Sequence, residues 1–206
     1  MRLRGRQAGS AVEIEGSHLL VAAGRTPNTD GFGLETAGIE RDARDFVTVN
    51  ERLQSKAEGA WASGCAGRPQ FTHIAFDDFR IVRDNIPGGN RTTTGRQVPS
   101  CMCTDPELAR IALNGHAAKE RGFDYRLAKI PMTAVPRSRT RSEERGSLKA
   151  LVATDGSRIL GFTTFGVGAG EVMAVMQTAM TPRPSCTNLR DMVLTHPTIS
   201  EGLVAL

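Results

Sequence analysis

Two apolar runs, Leu148 to Ala153 and Ile159 to Phe165, flank the turn signal Thr154-Asp155-Gly156-Ser157. An Asp-Gly step between such runs is a strong hairpin signal, because both residues tolerate the positive φ of a tight antiparallel turn. The chain is thereby restricted to folds with an antiparallel sheet, and Tyr125 to Ile130 predicts another strand of it. Cover for the sheet is expected from Gly170 to Met180, where Val172, Met173, Met176, Ala179 and Met180 recur on one side of a helix that Pro182 and Pro184 end. Further helices are expected at Asp105-Pro106-Glu107, with Asp105 as cap and Pro106 in the first position, and at Asn114 to Arg121, closed by Gly122. Two more are expected toward the end, Thr187 to Leu194 and a short Ser200 to Leu206 capped by Ser200. Antiparallel strands covered by helices make residues 99–206 an α+β domain.

The preceding half reads differently. Ala11 to Glu15 alternates apolar and acidic side chains, then His18 to Ala23 runs apolar without interruption. That pattern predicts an exposed strand followed by a buried one, stopped by Gly24 and Pro27. A chain that opens inside a sheet motif reads as the end of an α/β unit. Leu34 to Ile39 is expected to be a helical turn, Phe46 to Val49 a short strand, and Ala60 to Gly67 a buried strand running into small residues. Gln70 to Asn85 predicts a helix with Phe71, Ile74, Ala75, Phe79 and Val82 inward and Gly88-Gly89 as its stop, before a polar crossing loop over 90–97.

Composition narrows the function. Aromatics are few (8 Phe, 1 Trp, 1 Tyr), so the core must rest on aliphatic and methionine packing. The 26 Lys and Arg are interleaved with 22 Asp and Glu, which argues against nucleic-acid binding. Arg137, Arg139 and Arg141, followed by Glu143 and Glu144, read as a solvated face. No apolar run reaches the ~20 residues of a membrane span. The four cysteines, Cys65, Cys101, Cys103 and Cys186, form neither a disulfide framework nor a zinc or C-x-x-C pair. No metal site is expected, and a reduced, cytoplasmic setting is. Cys101 and Cys103 are two apart, which turns both to one face of a strand.

The most informative string for chemistry is Leu194-Thr195-His196-Pro197-Thr198-Ile199-Ser200-Glu201. Pro197 holds His196 extended, and a helix start then brings Glu201 back toward the imidazole. A carboxylate accepting from one ring nitrogen fixes the tautomer and leaves the other free for acid–base work. By spacing alone, such residues are more often a helix cap and a surface charge.

This ending closely resembles that of the FAD-dependent pyridine nucleotide-disulfide oxidoreductases, the group of dihydrolipoamide dehydrogenase, glutathione reductase and mercuric reductase. Three other segments agree in order: Ala23-Gly24-Arg25-Thr26-Pro27-Asn28 is similar to the loop closing the NAD(P) domain, Trp61 to Gly67 to the second flavin motif, and Thr104-Asp105-Pro106-Glu107 to the start of the dimerisation domain. The resemblance implies an incomplete α/β nucleotide-binding portion, with 1–30 as the tail of the NAD(P)-binding domain and 31–98 as the last segment of the FAD-binding domain and linker. The dimerisation domain would then be 99–206. It implies His196 as the acid–base residue serving the opposite subunit and Glu201 as its orienting carboxylate. Gly24, Gly64, Cys65, Phe71, Thr72, His73 and Pro197 are implied as cofactor-contacting positions, FAD and NAD(P)H as cofactors, and a second copy or a full-length relative as partner.

The departures carry equal information. The family's G-x-G-x-x-G turns and its redox cysteine pair do not occur among the 206 residues. Gly64 runs directly into Cys65 where relatives carry an acidic residue that holds the flavin ribitol. Pro136 and Arg183-Pro184-Ser185 stand where regular connections are usual, and a proline inside a helix would cost about 3 kcal/mol. The chain is therefore expected to contribute flavin contacts, a dimer interface and a His–Glu pair without completing the redox cycle alone. The alternative is a non-catalytic dimerisation module.

Overall fold

The computed structural model describes residues 1–67, 69–181 and 185–206. Arg2–Gln7 (β1) and Ser10–Glu15 (β2) form a separate antiparallel hairpin turned at Ala8 and Gly9, both at positive φ. Its strands are held by cross-strand pairs, Arg2 with Glu15 and Arg4 with Glu13, rather than by a buried face. The expected strand at His18 to Ala23 does not form, and the run is exposed. An apolar run becomes a buried strand only with neighbours on both sides, and none of the described residues pairs with it. For the same reason Phe46 to Val49 and Ala60 to Gly67 reduce to single bridges, Arg41 with Val47 and Gln54 with Trp61.

Thr72–Asn85 (α1) forms as expected, but with a different face inward. The buried residues are Ile74, Asp78, Ile81 and Asn85, whereas Phe71 and Phe79 are exposed. Polar anchoring sets this rotation. Arg96 donates to the Asp78 carboxylate at 2.5 Å, and the Asn85 amide both donates to the Arg91 carbonyl and accepts from the Arg91 N–H. Two buried side chains of α1 thus bind the crossing loop, and the helix turns toward them and away from its phenylalanines. Backbone bonding from Gly89 N–H to the Asp84 carbonyl closes the helix where the Gly-Gly stop was expected.

Beyond the loop come Ser100–Met102 (β3), Glu107–Ala112 (β4), Gly115–Glu120 (α2) and Tyr125–Pro131 (β5). A 3-10 turn at Met132–Ala134 leads to Pro136–Thr140 (α3), Ser147–Ala153 (β6) and Ile159–Gly166 (β7), then Ala169–Ala179 (α4), Cys186–Arg190 (α5) and Gly202–Ala205 (α6). The five strands form one antiparallel sheet in the order β3-β4-β7-β6-β5, so the hairpin read from the sequence holds two of its three inner strands. The α+β architecture is as expected. Four local readings are corrected. Glu107 opens a strand, not a helix, because Ala109 and Ile111 alternate with exposed neighbours and so suit a half-buried ladder. Pro136 occupies the first turn of α3, where its missing N–H is not needed, so it incurs no interior penalty. Helix α5 ends at Arg190 rather than Leu194, and Ser200 makes no side-chain cap on α6. The expected stop at Pro182 and Pro184, with the Arg183-Pro184 departure, lies outside the described residues.

One sheet face carries the main core. Ile111, Leu148, Ala150 and Phe162 pack beneath Val172, Met173 and Met176 of α4, with Met132, Val135, Leu189 and Leu203 closing the edges. The other face has a smaller cluster in which Leu151, Ala153 and Leu160 are covered by Ala118 of α2. Removing Arg96 as Arg96→Ala would leave the Asp78 carboxylate, 1% exposed, without its cation. We expect a loss of about 3 kcal/mol in urea unfolding, with Asp78→Asn costing less because it keeps hydrogen-bonding capacity.

Candidate functional site

The segment before α1 meets the loop after Gly24 in one open cleft. Arg25 Nη1 donates to the Gln70 carbonyl at 2.8 Å and draws the two loops together. Gly64, Cys65, Phe71 and Thr72 line the resulting cavity of about 430 Å³, with Arg25 at one side and Asp78 at its base. Gly64 has φ +73° and its N–H approaches Asp78 Oδ2 at 3.4 Å, so the turn depends on a conformation that a side chain would strain. The carboxylate of Asp78 is already shared between this N–H and Arg96. Phe71 occupies the N-cap of α1, makes no side-chain cap bond, and no acidic residue stands in the first turn. The positive end of a 14-residue helix therefore opens on the cleft without a countercharge from its own first turn.

Not every expected residue joins this cleft. Gly24, at φ +122°, is exposed and nothing would meet a side chain there. His73 stacks on Phe71 with ring centroids 5.2 Å apart and donates from Nε2 to the Pro99 carbonyl, which ties α1 to the start of the sheet domain. Neither His196 nor Glu201 lines the cavity.

The second constellation lies at the other end of the chain. His196 Nδ1 donates to Glu201 Oε2 at 2.8 Å. Thr198 folds the loop between them, donating from Oγ1 to the Thr195 carbonyl and accepting the Glu201 N–H. The spacing Thr198-x-x-Glu201 is that of a capping box, a signal the sequence carries and that the reading through Ser200 missed. In this box the carboxylate turns to the imidazole instead of to the threonine N–H. The next two residues along the chain hold Glu201 in place. Gly202 lies against Val135 and Leu148 so closely that an added Cβ would come within 2.7 Å of Leu148, and Leu203 is buried. The Glu201 side chain is 15% exposed and that of His196 70%. A partly buried carboxylate thus steers an exposed ring and leaves Nε2 free to take up or return a proton.

Among the described residues no group of three or more His, Cys, Asp or Glu is arranged to hold a metal, and no helix is long and apolar enough to cross a membrane.

With the sheet domain and the His–Glu loop in place, the chain belongs to the pyridine nucleotide-disulphide oxidoreductases: residues 3–78 match that family and residues 98–206 its dimerisation domain. It is 38% identical to the probable pyridine nucleotide-disulfide oxidoreductase RclA of Escherichia coli over 90% of this chain and 43% of that protein. It is 34% identical to dihydrolipoyl dehydrogenase of Thermus scotoductus over 98% of this chain and 44% of the other. The solved structure of the HOCl-induced flavoprotein disulfide reductase RclA of Escherichia coli superposes with a TM-score of 0.90 at 34% identity, covering 100% of this chain and 47% of that one. The chain spans less than half the length of these relatives.

The tautomer follows from the geometry. Ring ¹⁵N shifts of neutral His196 are expected to place the proton on Nδ1, and Glu201→Ala to abolish that bias while leaving the circular dichroism spectrum unchanged. An unbiased ring in the parent chain would contradict the 2.8 Å contact.

Proposed function

We propose that this chain is the dimerising half of a flavoprotein disulfide reductase, with a cytoplasmic setting and a second copy or a longer relative as partner. Residues 1–30 would close a nicotinamide-nucleotide domain, 31–98 complete a flavin domain, and 99–206 pair subunits. The observation that carries the reading is the partly buried Glu201 holding an exposed imidazole by Nδ1. Such a ring is oriented for a target outside its own subunit.

The residues present fit one edge of a flavin. The α1 N-terminus is uncapped, Gly64 and Cys65 are backbone-accessible, and the cleft is open between them. Thr72 and Phe71 would lie against the pyrimidine edge, where negative charge is favoured by the helix end. They do not fit the pyrophosphate, which needs a glycine turn feeding a helix N-terminus. Gly24 would flank NAD(P)H, and Pro197 would fix the backbone beside the imidazole. FAD, when bound, would carry electrons from NAD(P)H to a disulfide. The part played by this chain's residues is narrower: His196 Nε2 gives or takes a proton at sulfur, and Glu201 holds the ring in the tautomer that permits it.

Alone, the purified chain is expected to be colourless, inactive with NAD(P)H and disulfides, and dimeric by light scattering at micromolar concentration. Co-expressed with the preceding half of Escherichia coli RclA, it is expected to retain FAD and reduce disulfides. In that assembly His196→Gln should lower turnover by about 10²- to 10⁴-fold with the flavin absorbance unchanged. A co-expressed pair without flavin, or a His196→Gln assembly with full turnover, would defeat the proposal. A colourless dimer that fails to assemble with that half is the result expected of the non-catalytic dimerisation module.

A further inference from the structure

Cys101 and Cys103 lie away from both the α1 cleft and the His–Glu loop. Cys101 is on β3, the edge strand of the sheet, opposite Ala109 of β4, and Cys103 follows the strand's last residue. Opposed residues of an antiparallel pair point to the same face, so Cys101 shares the helix-covered face with the buried Ala109. Residues two apart on an extended backbone share a face, and both cysteines are exposed at its rim. The Cys101 sulfur sits beside the first turn of α4: a Cβ at Gly170 would lie 3.4 Å from it and 3.6 Å from Glu107 Oε2. Glu107 is occupied, accepting the Gly170 N–H at 2.9 Å. Because position 170 has no side chain, the space beside the sulfur stays open.

We infer that Cys101 and Cys103 form a two-thiolate site for a soft, two-coordinate cation of the Cu(I) class. Length favours a metal over a disulfide. Two rises along an extended strand separate the Cα atoms by about 6.8 Å, at the far limit for a disulfide, for which ~5.5–6 Å is usual. A linear S–metal–S bridge with bonds of roughly 2.3 Å spans about 4.6 Å between sulfurs, which same-face neighbours reach without bending the strand. Thiolate is also the donor that selects Cu(I) over harder ions. Binding breaks two S–H bonds and forms two S–Cu bonds. Both protons pass to solvent and no electrons move. Partial burial, the Glu107 carboxylate and the Cys103 thiol together hold the Cys101 pKa above its ordinary value, so without metal this thiol stays protonated near neutral pH.

The test is a Cu(I) titration of the reduced full chain under anaerobic conditions, against a colorimetric Cu(I) chelator. The parent chain is expected to remove one equivalent from the chelator. Cys101→Ser and Cys103→Ser should each weaken that equivalent by on the order of 100-fold, the loss expected when a chelate is cut to a single donor. Cys65→Ser and Cys186→Ser should leave it in place. Both variants at the edge strand replace exposed side chains, and matching circular dichroism verifies the fold. Retention of the tight equivalent in Cys101→Ser or Cys103→Ser, its loss in Cys65→Ser or Cys186→Ser, or no competition by the parent chain would overturn the site.

Discussion

The packing of α4 on the sheet face formed by β4, β6 and β7 is the interaction on which the functional geometry depends. Phe162, Ile111 and Leu148 are essentially removed from water, as are Val172 and Met176 above them. Full burial of side chains of this kind stabilises by roughly 1.5–3 kcal/mol each before entropy is subtracted. No surface ion pair among the described residues is of comparable weight, since exposed pairs contribute about 0–1 kcal/mol. The same layer fixes the chain's end. Leu148 and Val135 present the floor on which Gly202 rests, and a floor that accepts only glycine sets the position of the preceding residue, Glu201.

The legible parts of the fold were those decided by local pattern. The Asp-Gly hairpin, the 3.6-residue stripe of Val172, Met173 and Met176, and the short helix expected from Asn114 to Arg121 all state their structure within a few residues, and each formed. What the sequence did not disclose was decided by partners distant along the chain. His18 to Ala23 has the composition of a buried strand, but burial is a property of the neighbours, not of the run. Helix α1 shows the same effect in rotation. Hydrophobic periodicity placed Phe79 inside, whereas Asp78 and Asn85 were drawn inward by Arg96 and Arg91, residues of a loop with no period of its own. A buried, satisfied polar pair overrides an apolar stripe because exposing it differently would leave a desolvated charge.

The candidate site divides along the same line. His196 and Glu201 were readable because Pro197 and the helix start constrain six residues, and the contact they were expected to make is present. Thr198 was missed although its capping spacing was visible, since Ser200 competed for the same role. For the residues near α1, resemblance outran geometry. Gly64, Cys65, Phe71 and Thr72 share a cleft, but His73 is committed to Pro99 and Gly24 stands free. A motif transfers residue identities, while each side chain's direction is set by the bonds available to it in this chain.

The contrast between the two members of the His–Glu pair bears on how many polypeptides the chemistry needs. A carboxylate at 15% exposure with one oxygen, Oε1, buried and without a hydrogen-bond partner is costly to keep unless its other oxygen does something specific. Here that oxygen fixes one nitrogen of a ring whose remaining surface faces outward. The cleft beside α1 is lined without His196. The ring and the cleft are therefore separate constellations in the chain, which is the arrangement the proposed function reads as shared between two subunits.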